Sequence, residues 1–386
     1  LQNFDFYNPT QILFGQGQIA AIAPLIPAGA RVMMLYGGGS IKHNGVYDEV
    51  KAALDGHTVI EFSGIEPNPR YETLMRAVDM VRSERVDFLL AVGGGSVIDG
   101  TKFVAAAAPF EGGEPWLILE KGGRNVEKVL PFGAVLTLPA TGSEMNSTSV
   151  VTRSSTQEKR PFANRLLFPK FSVLDPSKTF TLPLRQVGNG VVDAFVHVVE
   201  QYLTYPVNAP VQDRWAEGLL QTLLEEGPKT LSEPDNVEVR ANVMWCATMA
   251  LNGIIGVGVP QDWATHMIGH ELTALYHLDH AQTLAVVLPS ILTLRKDAKR
   301  AKLLQYAARV WNITAGSEDE RIAAAIERTR DFFEQMGVKT RLSGYGLDAS
   351  AIDAVVARLE QHKLVKLGEH RDINAAVSRA ALELSL

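Results

Sequence analysis

The sequence predicts two domains: an α/β N-terminal domain with a parallel sheet over residues 1–180, and an all-α C-terminal domain over residues 181–386. Three observations carry this. The first 180 residues alternate short apolar runs with helically spaced segments, and glycines stand at several junctions. Beyond them nearly every apolar pattern repeats at i, i+3, i+4. Between the two lies LDPSKTFTLP (174–183), where two prolines and a β-favouring Thr-Phe-Thr break the rhythm. A chain of 386 residues is long enough for two or three domains of about 100–200 residues.

In chain order, RVMMLYGGGS reads as a strand ending in glycines and VYDEVKAALDG as the helix after it. HTVIEFSGI is the next strand and YETLMRAVDMVRSER the next helix. VDFLLAVGGGS repeats the strand-to-glycine unit, SVIDGTKFVAAAA follows as a helix, and GAVLTLPATGSE is a fourth strand. Strand, turn and helix in repetition need crossover connections, hence parallel strands in a doubly wound sheet. NGVVDAFVHVVEQYL, DRWAEGLLQTLLEE, VRANVMWCATMALNG, RAKLLQYAARVW and EDERIAAAIERTRDFFEQMG then each carry helical spacing.

With 46% apolar and 21% charged residues, the composition is that of a globular protein. A net charge of −6 with no basic block argues against nucleic acid or an anionic membrane as partner. The longest apolar run, around CATMALNGIIGVGVP, is broken by Gly, Asn and Pro and falls short of the ~20 residues a bilayer span needs. No charged segment followed by an apolar run opens the sequence, so no signal peptide is visible. The single cysteine, Cys246, suits a reducing cytoplasm and rules out Cys-rich zinc sites. Any metal must therefore be held by His and carboxylates.

Two turns, Gly37–Ser40 and Gly93–Ser96, follow apolar runs. Successive glycines let backbone N–H groups approach an anion, and a following helix N-terminus adds its dipole. The second turn is the stronger candidate for a pyrophosphate, although Ile98 occupies the last glycine position of G-x-G-x-x-G and no Walker lysine is present. A tight turn without ligand is the competing reading. TLPATGSEMN (137–146), after the fourth strand, offers small and hydroxyl residues that suit the lining of a nucleotide site.

Four of the nine histidines, His266, His270, His277 and His280, fall within WATHMIGHELTALYHLDHA (263–281). His266 and His270 are four apart and share a helical face. A straight helix would set His280 roughly 21 Å from His266, so both can serve one ion only if the chain bends, and Leu278–Asp279 is where it can. Pro260 and Asp262 are the expected start of the helix. In GVVDAFVHVVEQY, Asp193 and His197 also stand four apart, inside an otherwise apolar helix. Burying Asp193 unpartnered would cost several kcal/mol, and a cation is one remedy. Spacing alone leaves open whether His270 or His280 completes the ligand set.

Taken together, these residues resemble the group III metal-dependent alcohol dehydrogenases, often called iron-containing. The likeness covers essentially the whole chain: ILFGQG near the start, EPNP at 66–69, GGGSVIDGTK, LPATGSEMN, LDP at 174–176, NGVVDAFVHVVEQY and GVPQDWATHMIGHELTALYHLDHAQTLAVVLP. The last two are the most specific. Within the family the chain looks most like the NADPH-dependent butanol dehydrogenase and broad aldehyde reductase branch, whose architecture is dehydroquinate synthase-like.

The resemblance implies that Asp193, His197, His266 and His280 are the metal ligands, and that His270 lies beside substrate and nicotinamide as a supporting proton donor. His277 takes no family role and is expected to face water. Gly94, Gly95 and Ser96 would hold the pyrophosphate, Asp99 would lie near the nicotinamide ribose, and Thr137, Thr141 and Asn146 would line the cofactor site, although this chain has the short form of their loop. NAD-selective relatives tend to carry an acid after the first glycine strand. This chain has Gly38, Gly39 and Ser40 there, with no carboxylate to repel a 2′-phosphate. Lys159 adds a further phosphate contact, so NADP(H) is the expected cofactor.

One divalent ion, Fe²⁺ or Zn²⁺ with Mn²⁺, Co²⁺ and Ni²⁺ as further possibilities, suits one carboxylate and three imidazoles. The implied reaction interconverts primary alcohols and short-to-medium-chain aldehydes, running toward reduction, in a cytoplasmic homodimer whose N-terminal strands pair. Other classes fit less well. The zinc medium-chain class needs cysteine ligands. The Tyr-x-x-x-Lys of the short-chain class occurs only at Tyr47–Lys51, too early in the chain. A dehydroquinate synthase-like lyase would want basic residues around its substrate. An NAD-dependent glycerol or diol dehydrogenase is a nearer alternative, and a non-catalytic metal or nucleotide binder is not excluded by motifs.

Overall fold

The computed structural model describes residues 1–386, which divide into two compact units. One comprises Tyr7–Leu182 and Asp235–Thr248, the other Leu1–Phe6, Pro183–Pro234 and Met249–Leu386. The main change of unit thus falls between Leu182 and Pro183, but two segments lie apart from their sequence neighbours. The opening residues join the helical unit through the Gln2 N–H, which donates to the Gly258 carbonyl at 2.9 Å. The segment 235–248 joins the α/β unit, where Met244 is part of the core and the Thr248 hydroxyl donates to Glu144 at 2.6 Å. Helical periodicity shows which face is apolar, not which unit that face covers.

The α/β unit runs β1 (Gln11–Phe14), β2 (Arg31–Tyr36), α1 (Val46–Ala53), β3 (Thr58–Phe62), α2 (Tyr71–Ser83), β4 (Phe88–Gly93), α3 (Gly95–Ala107), α4 (Trp116–Glu120) and β5 (Phe132–Leu136). A hairpin of β6 (Thr148–Arg153) and β7 (Glu158–Ala163) leads to β8 (Phe171–Leu174). The main sheet has the order β1-β8-β5-β4-β2-β3 and every neighbouring pair is parallel. Its central strands β4, β5 and β8 are buried along their whole length, as expected of a sheet covered on both faces. One face packs on Leu74, Phe103 and Trp116, the other on Ile19, Ile22 and Val50.

After β3 the chain crosses β2 and continues on its other side with β4, so the winding direction reverses between β2 and β4. Ligands of open parallel sheets bind outside the strand carboxyl ends at such a reversal. Both glycine turns leave the sheet there, since Tyr36 pairs with Val92 at the ends of β2 and β4. The β-favouring Thr-Phe-Thr forms no strand. Asp175 accepts the Ser177 N–H at 3.0 Å and opens a short 3-10 turn over Pro176–Thr179.

The helical unit contains α5 (Leu184–Tyr202), α6 (Pro210–Glu226) and α7 (Lys229–Ser232), while α8 (Val237–Ala250) belongs largely to the α/β unit. There follow α9 (Ala264–Tyr276), α10 (His280–Leu294), α11 (Arg300–Arg309), α12 (Glu318–Gln335), α13 (Ala349–Gln361) and α14 (Ala375–Leu384). Helix α10 packs against α5, α9, α12 and α14. Helix α5 is buried at every residue from Val187 to Tyr202, which explains why its sequence shows no wet face. No helix is long and apolar enough to cross a membrane.

Candidate metal centre and nucleotide-binding turns

Asp193 and His197 lie one turn apart on α5, with side-chain exposure of 4% each. His266 and His270 lie one turn apart on α9, also buried. The bend expected at Leu278–Asp279 is present. His277 ends α9 in the left-handed region (φ 57°), its N–H donating to the Thr273 carbonyl, and its side chain is exposed. Asp279 then caps α10 in a reciprocal box with Gln282. The Asp279 carboxylate also takes hydrogen bonds from Arg185 and Asn189 of α5. These contacts fix the first residue of α10, His280, over Asp193 and His197 of α5. Asp262 does not occupy the N-cap position, which belongs to the left-handed Trp263; its carboxylate instead accepts the Ala264 N–H at 2.9 Å.

Asp193, His197, His266 and His280 each offer one ligand atom, and these atoms lie within 4.8 Å of one another. His197 Nε2 is 3.7 Å and His280 Nε2 3.8 Å from the same Asp193 oxygen. Four ligands around one tetrahedral ion at about 2.1 Å stand roughly 3.4 Å apart, so the cluster fits a single ion with small adjustment. His266 Nδ1 meets the Glu200 carboxylate, which leaves Nε2 as the nitrogen it can offer to an ion. The His197 and His266 rings stack at 4.7 Å, and His280 stands edge-on to His266 at 5.1 Å. Burial lowers His197 to about 4, against the attraction of Asp193, so its ring is neutral at pH 7 and one ring nitrogen keeps a lone pair for an ion. His270 is outside the four-ligand group, its ring 5.4 Å from that of His280.

The nucleotide-binding candidates gather in the α/β unit. Gly94 and Gly95 turn the chain from β4 into α3, and the Gly95 and Ser96 amides stand at the helix start, where no internal acceptor exists. A Cβ on Gly95 would fall 2.3 Å from the Thr141 hydroxyl, so only glycine lets the two segments meet. The Thr137 N–H donates to the Gly93 carbonyl at 3.0 Å. Asp99 is not a free carboxylate: Ser143 donates to one oxygen at 2.6 Å and the Val150 N–H to the other at 3.0 Å. Asn146 donates to the Gly142 carbonyl at 2.9 Å and accepts from the Thr148 N–H at 3.0 Å. Lys159 lies at the second glycine turn, donating to Asn68 at 2.8 Å, whose N–H in turn reaches the Ser96 hydroxyl at 3.2 Å.

At the first turn Gly39 is left-handed (φ 99°) and Ser40 opens a 3-10 turn. Gly38 is different: a Cβ there would meet nothing within 4 Å. The space admits a side chain, and the absence of an acid is chemical rather than steric.

Two groups escaped the sequence reading. Lys102 of α3 is fully buried and donates to Ser143 at 2.8 Å, Asn146 at 2.9 Å and the Thr148 carbonyl at 2.8 Å. It pins the loop that carries Thr141 and Asn146. Burial lowers it to about 8, against the pull of Asp99 and Glu144, and burial raises both of those carboxyls. The other is Glu200, fully buried on α5 at the His266 ring. Burial and then the Asp262 carboxylate raise it, opposed by backbone donors and Lys299. Each is a charged residue inside an apolar helical pattern, the same anomaly that marks Asp193.

Comparison with known proteins gives a consistent result. Residues 9–176 match the model of the iron-containing alcohol dehydrogenase family, and residues 188–375 match that of the C-terminal region of the same family. The chain is 62% identical over 384 residues to the NADPH-dependent aldehyde reductase YqhD of Escherichia coli K12, covering 99% of each. It is 41% identical over 391 residues to the probable NADH-dependent butanol dehydrogenase 1 of Bacillus subtilis, covering 100% of each. The substrate- and cofactor-free structure of the E. coli aldehyde reductase superposes with a TM-score of 0.94 at 60% identity, covering both chains completely.

Two outcomes follow from this geometry. Replacing His266 with Ala should abolish metal retention after gel filtration, whereas His270→Ala should retain the metal; equal loss in metal analysis would contradict the split. Lys102→Met should lower unfolding stability by about 3–5 kcal/mol in denaturant titrations, because it leaves buried partners unmet. The folded chain releases the Lys102 proton near 8 and the unfolded chain near its ordinary 10.5. Between these values the unfolded state binds more protons, so the gap in stability between wild type and Lys102→Met should widen as pH rises.

Proposed function

The chain belongs to the iron-containing alcohol dehydrogenase family, and from that membership and the buried four-ligand cluster we propose that it interconverts primary alcohols and short-to-medium-chain aldehydes with NADP(H), working as an aldehyde reductase. The observation that carries this reading is the convergence of Asp193, His197, His266 and His280 from three helices onto one position. Fe²⁺ or Zn²⁺ is the proposed occupant. A divalent ion held there would supply Lewis acidity for a carbonyl oxygen, and a bound reduced nicotinamide would supply the hydride.

The protein's own residues do the rest. The three imidazoles would be ligands through nitrogen lone pairs, and burial keeps the His197 ring unprotonated. The Asp193 carboxylate balances part of the ion's charge inside the apolar helix α5. His270, buried and one turn from His266, is the proposed source of the proton that completes the alcohol. Gly94, Gly95 and Ser96 cradle the pyrophosphate at the start of α3, with Lys159 beside the same turn. Asp99 lies near the nicotinamide ribose, and Thr137, Thr141 and Asn146 line the cofactor site through the loop that Lys102 holds.

The NADP(H) preference rests on Gly38, Gly39 and Ser40, where backbone amides and a hydroxyl can receive a 2′-phosphate. Open space around Gly38 makes Gly38→Asp a clean test. It should cut kcat/KM with NADPH by tenfold or more and favour NADH; an unchanged cofactor ratio would reject the assignment.

The working unit is proposed to be a cytoplasmic homodimer. Strand β1 is a sheet edge, and Phe14 at its end packs on Trp245 at 5.8 Å with both rings 40% exposed. Light scattering should give twice the 42.1 kDa chain mass, and Phe14→Glu should shift the protein toward monomer. A monomeric wild type would contradict this.

A further inference from the structure

Glu200 lies one turn beyond His197, on the face of α5 that also carries Asp193. Its two oxygens have separate partners. Oε1 accepts the Thr265 N–H at 2.7 Å, and Oε2 meets His266 Nδ1. Thr265 belongs to the first turn of α9, a helix whose own N-cap residue, Trp263, makes no capping bond. One carboxylate from α5 therefore caps α9 and grips the imidazole that α9 presents. A carboxylate is favoured at a helix N-terminus, and here its position is tied to the ligand ring.

A buried ion cluster holds this arrangement from behind. The Asp262 N–H donates to the Glu200 carbonyl at 2.9 Å, and Asp262 Oδ1 caps Ala264. Lys299, with 1% side-chain exposure, lies 2.9 Å from Asp262 Oδ2 and 2.7 Å from Glu369, and donates to the Leu203 carbonyl at 2.6 Å. Two buried carboxylates, Asp262 and Glu369, thus share one ammonium on the side of His266 away from its Nε2.

Resting on the proposal that His266 is a metal ligand, we propose that Glu200 is the positioning residue of the metal centre. A ligating imidazole needs an acceptor for its second N–H, which fixes both tautomer and ring plane. Glu200 accepts from Nδ1–H and so presents the Nε2 lone pair to the ion. The Asp262 N–H, on the Glu200 backbone carbonyl, and Lys299, paired with the Asp262 carboxylate, hold this stretch of α5 against the start of α9.

The discriminating variant is Glu200→Gln. It keeps size and can still accept from Thr265, but it turns an amide NH₂ toward Nδ1. That donor favours the tautomer with a proton on Nε2, where a metal cannot bind. Chelator-treated protein is titrated with Co²⁺ and followed by its visible absorption. Glu200→Gln should bind Co²⁺ about 10–100-fold more weakly than wild type, with an altered spectrum, while its metal-free melting temperature stays close to wild type. Unchanged affinity and spectrum would overturn the proposal, as would a fall in metal-free stability at unchanged affinity, which would make Glu200 a cap alone. Should Glu200→Gln fail to fold, Glu200→Asp keeps the charge but withdraws the carboxylate, and the same loss of affinity is expected. His266→Ala serves as control: wild-type affinity in that variant would mean that the metal reading itself has failed, independently of Glu200.

Discussion

A carboxylate buried in a helix with no wet side is the constraint on which the helical unit turns. Asp193 lies in α5, every residue of which is enclosed from Val187 to Tyr202. An isolated charge there would cost several kcal/mol and would be expelled or neutralised. Instead three imidazoles from α5, α9 and α10 converge on it. The surrounding elements serve that convergence. Left-handed His277 stops α9, the Asp279–Gln282 box starts α10, and α5 reaches back through Arg185 and Asn189 to hold the turn between them. Behind the histidines, Glu200, Asp262, Glu369 and Lys299 continue the buried charge into the body of the unit.

The α/β unit contains a counterpart of opposite sign. Lys102 is buried in α3 and distributes its three hydrogen bonds over the loop following β5 and the start of β6. Asp99 meets the same loop through Ser143 and β6 through Val150. Residues expected to touch cofactor directly are therefore also the residues that fix the loop's shape. Buried polar networks of this kind rigidify a site when every member is satisfied. The glycines act in the same direction, since Gly95 lets the loop approach the helix start to a distance no side chain would allow.

The parts of this design that were legible in sequence are those with an unambiguous period or an anomaly against it. The strand-and-glycine units showed as apolar runs, and β2, β4 and β5 do so because they lie inside a covered parallel sheet. Strands β1 and β8 have four residues each, and the β6–β7 hairpin is largely polar, so none stood out. Asp193 and His197 were visible as charge and imidazole within an apolar helix. Helix spacing put His270 on the face of His266 but left open whether it or His280 completes the set, and family likeness pointed to His280. The structure supplies the physical reason, because the capped turn at 277–279 brings His280 back over α5, a tertiary fact with no short-range signature. Lys102 and Glu200 carried the same anomaly as Asp193, but Lys102 has no ligand chemistry and Glu200 stood beside a pair already matched at i, i+4. The segment 235–248 was assigned by rhythm to the helical half, since periodicity carries no information about which unit a helix covers.

The most direct test of the account is anomalous diffraction from crystals of the metal-loaded protein at the absorption edge of the bound ion. One peak should appear within about 2.0–2.2 Å of an Asp193 oxygen and of Nε2 of His197, His266 and His280, with His270 outside the shell. A peak that includes His270 in place of His280, or that lies away from Asp193, would contradict the central claim.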